Sequence, residues 1–251
     1  SNKVFLISFN KSKNDVELTD YPNLPEALAF NNAIVTDGYV YVAGGMNDES
    51  SSNSFYRINI EKKGEWEKLP SFPGEPRAVH SMVVQETSNS KSIFLIGGRN
   101  QQKGKLSNLM TNFLSYDLKK RQWKDEGDII IDGDKKVIMG ASAEPSGSMH
   151  ILVYGGSDEI LFKQLESLET EIKNEKDKSI SQALAKKKNE IQISHPGFSN
   201  KVLAYNTMTK KWFVFDSLKT NLPVTSLGIK KENSFLLISG EMSPGVRTPK
   251  V

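Results

Sequence analysis

The chain of 251 residues has no cysteine, only three histidines and no apolar run long enough to cross a bilayer as a helix. Without cysteine there are no disulfides, thiolate metal sites, thiol nucleophiles or thioether-linked cofactors. His150 and His195 lack metal-ligand spacing to each other, so no metal is expected. Excess charge is also scarce. A formal +3, from 33 basic and 30 acidic side chains, is too weak to form the concentrated basic stripe that nucleic acid requires. Neither nucleic acid nor a membrane is an expected partner. The apolar stretch at residues 4–9 is too short for the core of a signal peptide. The opening Ser1-Asn2 suits a processed chain or an expression scar. With 37% hydrophobic and 25% charged residues, the sequence reads as one large globular domain or two small ones.

Glycine supplies the organisation. Four short apolar runs each end in a small-residue pair: VYVAGG at Gly44-Gly45, IFLIGG at Gly97-Gly98, ILVYGG at Gly155-Gly156 and LLISG at Ser239-Gly240. They read as buried strands closed by turns. The second glycines lie 53, 58 and 84 residues apart, and removing the 33 residues of 161–193 reduces the last interval to 51. Each pair is followed by an aromatic and then a tryptophan: Tyr56 and Trp66, Tyr116 and Trp123, Tyr205 and Trp212. Fragments such as FLSYDLKKRQW read as a strand, a tight polar turn and a second strand. Four strands in about fifty residues is the pattern of a β-propeller blade.

The glycine pair, the aromatic and the tryptophan together resemble the kelch repeat, which implies an all-β propeller across residues 1–251. Complete units run from about Asn31 to Pro70, Phe72 to Glu126 and Val137 to Leu222. Residues 224–251 offer the first two strands of a unit and residues 1–30 the last two, so the two end pieces are expected to complete one further blade, about four in all. The alternative is a larger ring whose further blades come from another segment or another chain.

Residues 161–193 have no glycine or proline and mix charges densely. Leu161, Leu165, Leu168 and Ile172 form a helical apolar stripe, and a second helical segment follows the polar 174–179 stretch. This helical insertion falls in a loop after a glycine strand. It reads either as a lid over the channel mouth or as a decoration on the rim.

After the last glycine strand stands Ser239-Gly240-Glu241-Met242-Ser243-Pro244-Gly245-Val246-Arg247-Thr248. Where the other units place Met46, Arg99 and Ser157, this one places a carboxylate. A Pro-Gly turn can direct Glu241 and Arg247 into one space, as a base beside a fixed cation. Spacing alone fits a surface ion pair equally well. The segment resembles the Gly-Glu-x-x-Pro-Gly-x-Arg-Thr signature of the N-acetylneuraminate epimerases, sialic acid mutarotases built on six-bladed kelch propellers. SFPGEPRAVHS resembles a second run of that family, which also carries a helical insertion in the same blade. The similarity extends from about Leu24 to Thr248, in the order of the circularly permuted branch. It implies a bacterial carbohydrate isomerase, cytoplasmic or, if a leader was removed, periplasmic. It also implies a sugar-acid substrate, no cofactor and no metal. By the same resemblance Glu241 aligns with the catalytic acid/base and Arg247 with the substrate-binding arginine. A ring of six blades implies about two beyond those counted in this sequence.

Other polar positions near inner strands are candidates for substrate binding. Arg77 and His80 lie in PRAVHS, Arg99 follows a glycine pair, and Asn32 occupies the inner-strand start of the first complete unit. Competing classes are a kelch interaction scaffold without catalysis, a sialidase and a kelch copper oxidase. The Ser-x-Asp-x-Gly-x-Thr-Trp turns of sialidases do not occur here, and the copper enzymes require a cysteine.

Overall fold

A computed structural model describes residues 1–250 apart from 63, 89 and 233. A hairpin of β1 (Val4–Asn10) and β2 (Asp15–Tyr21) precedes a four-stranded sheet of β3 (Asn32–Thr36), β4 (Tyr39–Ala43), β5 (Phe55–Asn59) and β6 (Glu67–Leu69). The second sheet contains β7 (Ser81–Glu86) and β8 (Lys91–Ile96). It continues, past the short pair β9 (Arg99–Asn100) and β10 (Asn108–Leu109), with β11 (Asn112–Asp117) and β12 (Gln122–Asp128). A ribbon of β13 (Ile130–Ile131) and β14 (Asp134–Lys135) leads to the third sheet, β15 (Ser142–Ser146), β16 (His150–Tyr154), β17 (Lys201–Asn206) and β18 (Lys211–Ser217). Between β16 and β17 stand two helices, α1 (Glu159–Asn174) and α2 (Lys178–Ile193). The described chain finishes with β19 (Leu227–Lys231) paired to β20 (Ser234–Ile238), and β21 (Glu241–Ser243) paired to β22 (Val246–Arg247).

In each four-stranded sheet the chain runs antiparallel from an inner strand outwards, and the inner strands β3, β7, β15 and β19 lie side by side. These are blades of a β-propeller. Three are complete, and β19 with β20 supplies the inner half of the next. The two end pieces do not join as expected, since β1–β2 and β19–β20 form separate two-stranded sheets. The reason is placement: Val4 packs with Leu24, Leu28, Val42 and Tyr56 beside the first blade, whereas β19 lies against β15 of the third.

Blades stack because their strands are apolar on both faces. Along β8, Ile93 and Leu95 join Phe55, Phe72 and Tyr116 in the core shared with the first blade, while Phe94 and Ile96 join Ile151, Val153 and Tyr205 in the core shared with the third. Side chains alternate between faces with a period of two, so a strand between two neighbours reads as a continuous apolar run. The aromatic pairs secure the outer hairpins. Tyr116 opposes Trp123 and Tyr205 opposes Trp212 in register, with ring centroids 5.0 Å apart in both pairs. In the first blade the longer turn shifts the register, so Tyr56 opposes Lys68. Trp66, just before β6, donates instead to the Pro22 carbonyl at 2.7 Å.

A second link runs at the axis. Phe30, Val79, Gly140 and Thr225 each stand two residues before an inner strand, all with left-handed φ, between 52° and 69°. Val79 N–H donates to Phe30 O at 3.0 Å, Gly140 N–H to Val79 O at 2.8 Å and Thr225 N–H to Gly140 O at 2.8 Å. One backbone hydrogen bond thus passes from blade to blade at each step. The first glycine of the pair lets the next blade come this close, since a Cβ on Gly97 would sit 1.9 Å from Ile138 O, and the second makes room within its own blade, where a Cβ on Gly98 would sit 2.8 Å from Ala78 O.

Gly97→Ala is expected to cost about 2–4 kcal/mol from backbone strain and steric overlap. Gly104→Ala, also at positive φ but with open space around its Cβ, should cost about 1 kcal/mol. Urea denaturation of both variants measures the difference, and equal losses would remove the steric account of the pair.

Candidate active site at the ring axis

The residue after each glycine pair has the same backbone address. Met46, Arg99, Ser157 and Glu241 donate their N–H groups to Ala29, Ala78, Met139 and Val224, at 2.8, 2.9, 2.9 and 2.9 Å. Each acceptor immediately precedes one of the left-handed axial residues. Four equivalent positions therefore circle the mouth of the channel, one per blade. Their side chains differ: a thioether, a guanidinium, a hydroxyl and a carboxylate.

Arg99, Ser157 and Glu241 line a cavity of about 580 Å³ whose floor includes Val79, Gly140 and Thr225 of the axial ladder. The opposite wall belongs to the insertion, with Phe162, Leu165 and Glu166 from α1 and Lys188 and Gln192 from α2. The helices start where the sequence provides N-caps. Asp158 accepts from Leu161 N–H, and Asp177 accepts from Ser179 and Ile180 N–H. The apolar stripe of α1 turns inwards, and Leu168 is its one fully buried residue. The insertion thus lies across the mouth.

Glu241 opens β21, and one of its carboxylate oxygens accepts the N–H of Gly245 from the Pro-Gly turn. Among the described residues the second oxygen accepts no hydrogen bond. Arg247 is the cross-strand partner of Glu241, but it is exposed and does not line the cavity. The guanidinium on the wall is Arg99. It donates from Nη1 to Ser107 Oγ at 2.8 Å and to Glu166 Oε1 at 3.2 Å, and it lies 5.2 Å from the centre of the Phe162 ring. Burial pulls its pKa down, against the opposing charge of Glu166.

His195 also lines the cavity, where the chain leaves α2. Its Nδ1 accepts the Gly197 N–H at 3.1 Å, which leaves the ring proton of the neutral form on Nε2. Burial lowers its pKa, while Asp158 and Glu241 pull it the other way. From the sequence this residue is notable only for lacking metal-ligand spacing to His150. Glu166 and Ser107 were missed too, because nothing in the order of residues links a helix in one blade to a loop in another.

Three of the expected substrate-binding residues lie elsewhere. Arg77 is buried, donating to the Gly97 and Asn112 carbonyls at 3.2 and 3.4 Å and to Asn112 Oδ1 at 3.1 Å. It faces a separate cleft with Glu75 and Asp125, and burial lowers its pKa to about 10. Asn32 donates to the His80 carbonyl at 3.2 Å, tying the first blade to the second. The His80 ring is buried, with no hydrogen-bond partner for either nitrogen among the described residues, and is packed where Gly44 lacks a Cβ. The alternation of an inner strand permits an inward side chain, but here these residues serve the seams between blades. Of the six candidates, the cavity brings together Glu241 and Arg99.

Fold and site together define a β-propeller with a cavity of mixed polar and apolar lining at its axis, flanked by a helical insertion. The N-acetylneuraminate epimerase family model matches residues 21–251, and the chain belongs to that family. Similar curated proteins include the N-acetylneuraminate epimerase of Yersinia enterocolitica serotype O:8 / biotype 1B, 24% identical over 239 residues, and that of Salmonella enteritidis PT4, 26% identical over 235. Each alignment covers 92% of this chain and 56% of the relative, so the chain spans a little over half the length of these relatives. A solved structure described as "Structure of YjhT" superimposes with a TM-score of 0.73 at 17% identity, over 90% of this chain and 62% of that one. That likeness shows the fold.

Burial and the neighbouring Arg77 charge lower the His80 pKa to about 3, from an ordinary value of 6.5. The unfolded chain therefore takes up a proton at this site near pH 6.5, and the folded one only near pH 3. Stability should fall on acidification through that window, by up to about 1.4 kcal/mol per pH unit from this residue. Urea unfolding of the protein and of His80→Gln between pH 7 and 4 checks this. The variant's pH dependence should be shallower by that amount, and parallel curves would refute the assignment.

Proposed function

We propose that this chain provides a catalytic wall for interconverting the α and β anomers of N-acetylneuraminate. Membership of the epimerase family supports the reaction class, and the observation that carries it to this site is Glu241 lining the same cavity as Arg99. The substrate carries a carboxylate on its anomeric carbon. Changing anomer requires the hemiketal ring to open and to close on the other face, with only protons moving.

The free oxygen of Glu241 takes the proton of the anomeric hydroxyl. The bond from the anomeric carbon to the ring oxygen breaks, a ketone forms, and the ring oxygen takes a proton from water or from an acid in the cavity. After the carbonyl turns, the same transfers run in reverse on closure. The Gly245 N–H holds one carboxylate oxygen, so the other is presented in a fixed orientation. Arg99 grips the substrate carboxylate while the carbonyl face turns, since charge-assisted contacts are worth about 1.5–3 kcal/mol each. Arg247, the partner assigned by resemblance, is exposed, lies directly across the hairpin from Glu241 and competes with Arg99 for that role.

Proton NMR of freshly dissolved crystalline N-acetylneuraminate measures the rate of anomer equilibration. Glu241→Gln should lower kcat about 10²- to 10⁴-fold, and an unchanged rate would reject the catalytic reading. Arg99→Gln should raise KM about tenfold or more, with a smaller change in kcat. A rise in KM confined to Arg247→Gln would move the carboxylate contact to β22.

A further inference from the structure

Glu166 of α1 makes a contact that the epimerisation chemistry does not require. Its carboxylate accepts three hydrogen bonds from the ring face: Arg99 Nη1–H at 3.2 Å, Ser107 N–H at 2.9 Å and Ser107 Oγ–H at 2.6 Å. One guanidinium donor, one backbone N–H and one hydroxyl converge on two oxygens, which is a carboxylate-recognition site. The pair is largely withdrawn from water, with side-chain exposures of 15% for Arg99 and 17% for Glu166. Phe162, over which the guanidinium lies, belongs to the same helix.

We propose that Arg99 and Ser107 form a carboxylate-binding site, that Glu166 occupies it as an internal stand-in, and that a ligand carboxylate displaces Glu166 and frees the insertion. The inference rests on the preceding assignment of the cavity to a sugar acid, and it adds an internal competitor and a moving part. The physical reason is the cost of an unpaired buried charge. Withdrawing the Glu166 carboxylate while α1 still covers the site would leave Arg99 desolvated without an anion, which is strongly unfavourable. An incoming carboxylate removes that penalty by replacing one anion with another. The rest of the insertion offers little resistance. Leu168 is the single buried residue of α1, α2 has none, and Ile160 and Ile193 are 76% and 77% exposed. Segments with so few buried apolar contacts open at small cost. The hairpin keeps its own integrity through the Lys188–Glu169 ion pair, so it can move as a unit. Of the cavity's lysines, Lys173 and Lys188 both pair with Glu169, which leaves Lys105 to favour an anionic guest.

Amide hydrogen exchange of residues 159–174 in the full chain, with and without N-acetylneuraminate, tests the displacement. Saturating sugar acid should speed exchange of this helix several-fold. N-acetylmannosamine, a sugar without the carboxylate, should leave it unchanged. Glu166→Gln keeps the shape but removes the competing charge. In that variant the helix should exchange fast without ligand, and calorimetric affinity for N-acetylneuraminate should rise roughly three- to tenfold. Slower exchange on ligand binding, or weaker binding by Glu166→Gln, would overturn the stand-in role and make Glu166 a ligand contact or a scaffold residue. The two proposals fail separately. Carboxylate-dependent opening without anomer equilibration would leave this inference intact and sink the mutarotase reading, and catalysis with a motionless helix would do the reverse.

Discussion

Close backbone approach at the axis is the constraint on which the rest of the molecule depends. The hydrogen bonds joining Phe30, Val79, Gly140 and Thr225 pull successive blades together where the inner strands begin. They form only because each of these residues adopts a left-handed conformation and because the glycine pairs remove the Cβ atoms that would otherwise meet the neighbouring backbone. Three of the four residues are not glycine, so each accepts a local conformational cost that the surrounding blade contacts offset. The hydrophobic seams between blades then pack at a spacing already set at the centre.

That same constraint creates the site. The residue after each glycine pair is pinned by a backbone bridge, and three of the four, Arg99, Ser157 and Glu241, line the cavity. The fold provides a ring of equivalent positions, and the sequence varies them from thioether to guanidinium, hydroxyl and carboxylate. The carboxylate of Glu241 needs no special loop: it is the fourth instance of an address already used three times. Positioning by backbone is also rigid, as required when a proton must move over a fraction of an ångström.

The insertion alters the electrostatics of this mouth. Its helices add a second wall to the cavity, and Arg99 there is largely withdrawn from water. An enclosed guanidinium needs a partner at all times, and Glu166 supplies one from the roof. Closing the cavity and protecting its cation are therefore a single event, carried by one side chain. Arg77 and His80 carry a different burden. Both are buried polar groups: the guanidinium finds carbonyl acceptors within its own blade, and the imidazole, packed against Gly44 of the first blade, is held neutral.

Much of the architecture was legible in the sequence because its causes are local. The interval between glycine pairs, the apolar runs before them and the tyrosine–tryptophan hairpins report period-two burial and turn chemistry, which depend on residues a few positions apart. The helical insertion was visible from the spacing of Leu161, Leu165, Leu168 and Ile172, and Glu241 from its departure at a repeated position. Tertiary structure alone decided which polar residues share the cavity. Arg77, His80 and Asn32 stand at inner-strand starts, like residues that face a channel, yet they are drawn into the seam between blades. Arg99 meets Glu166 across 67 positions, and the ends of the chain fall beside different blades. Such pairings depend on how whole blades stack and where a loop folds back, and no short-range pattern of residues encodes that distance.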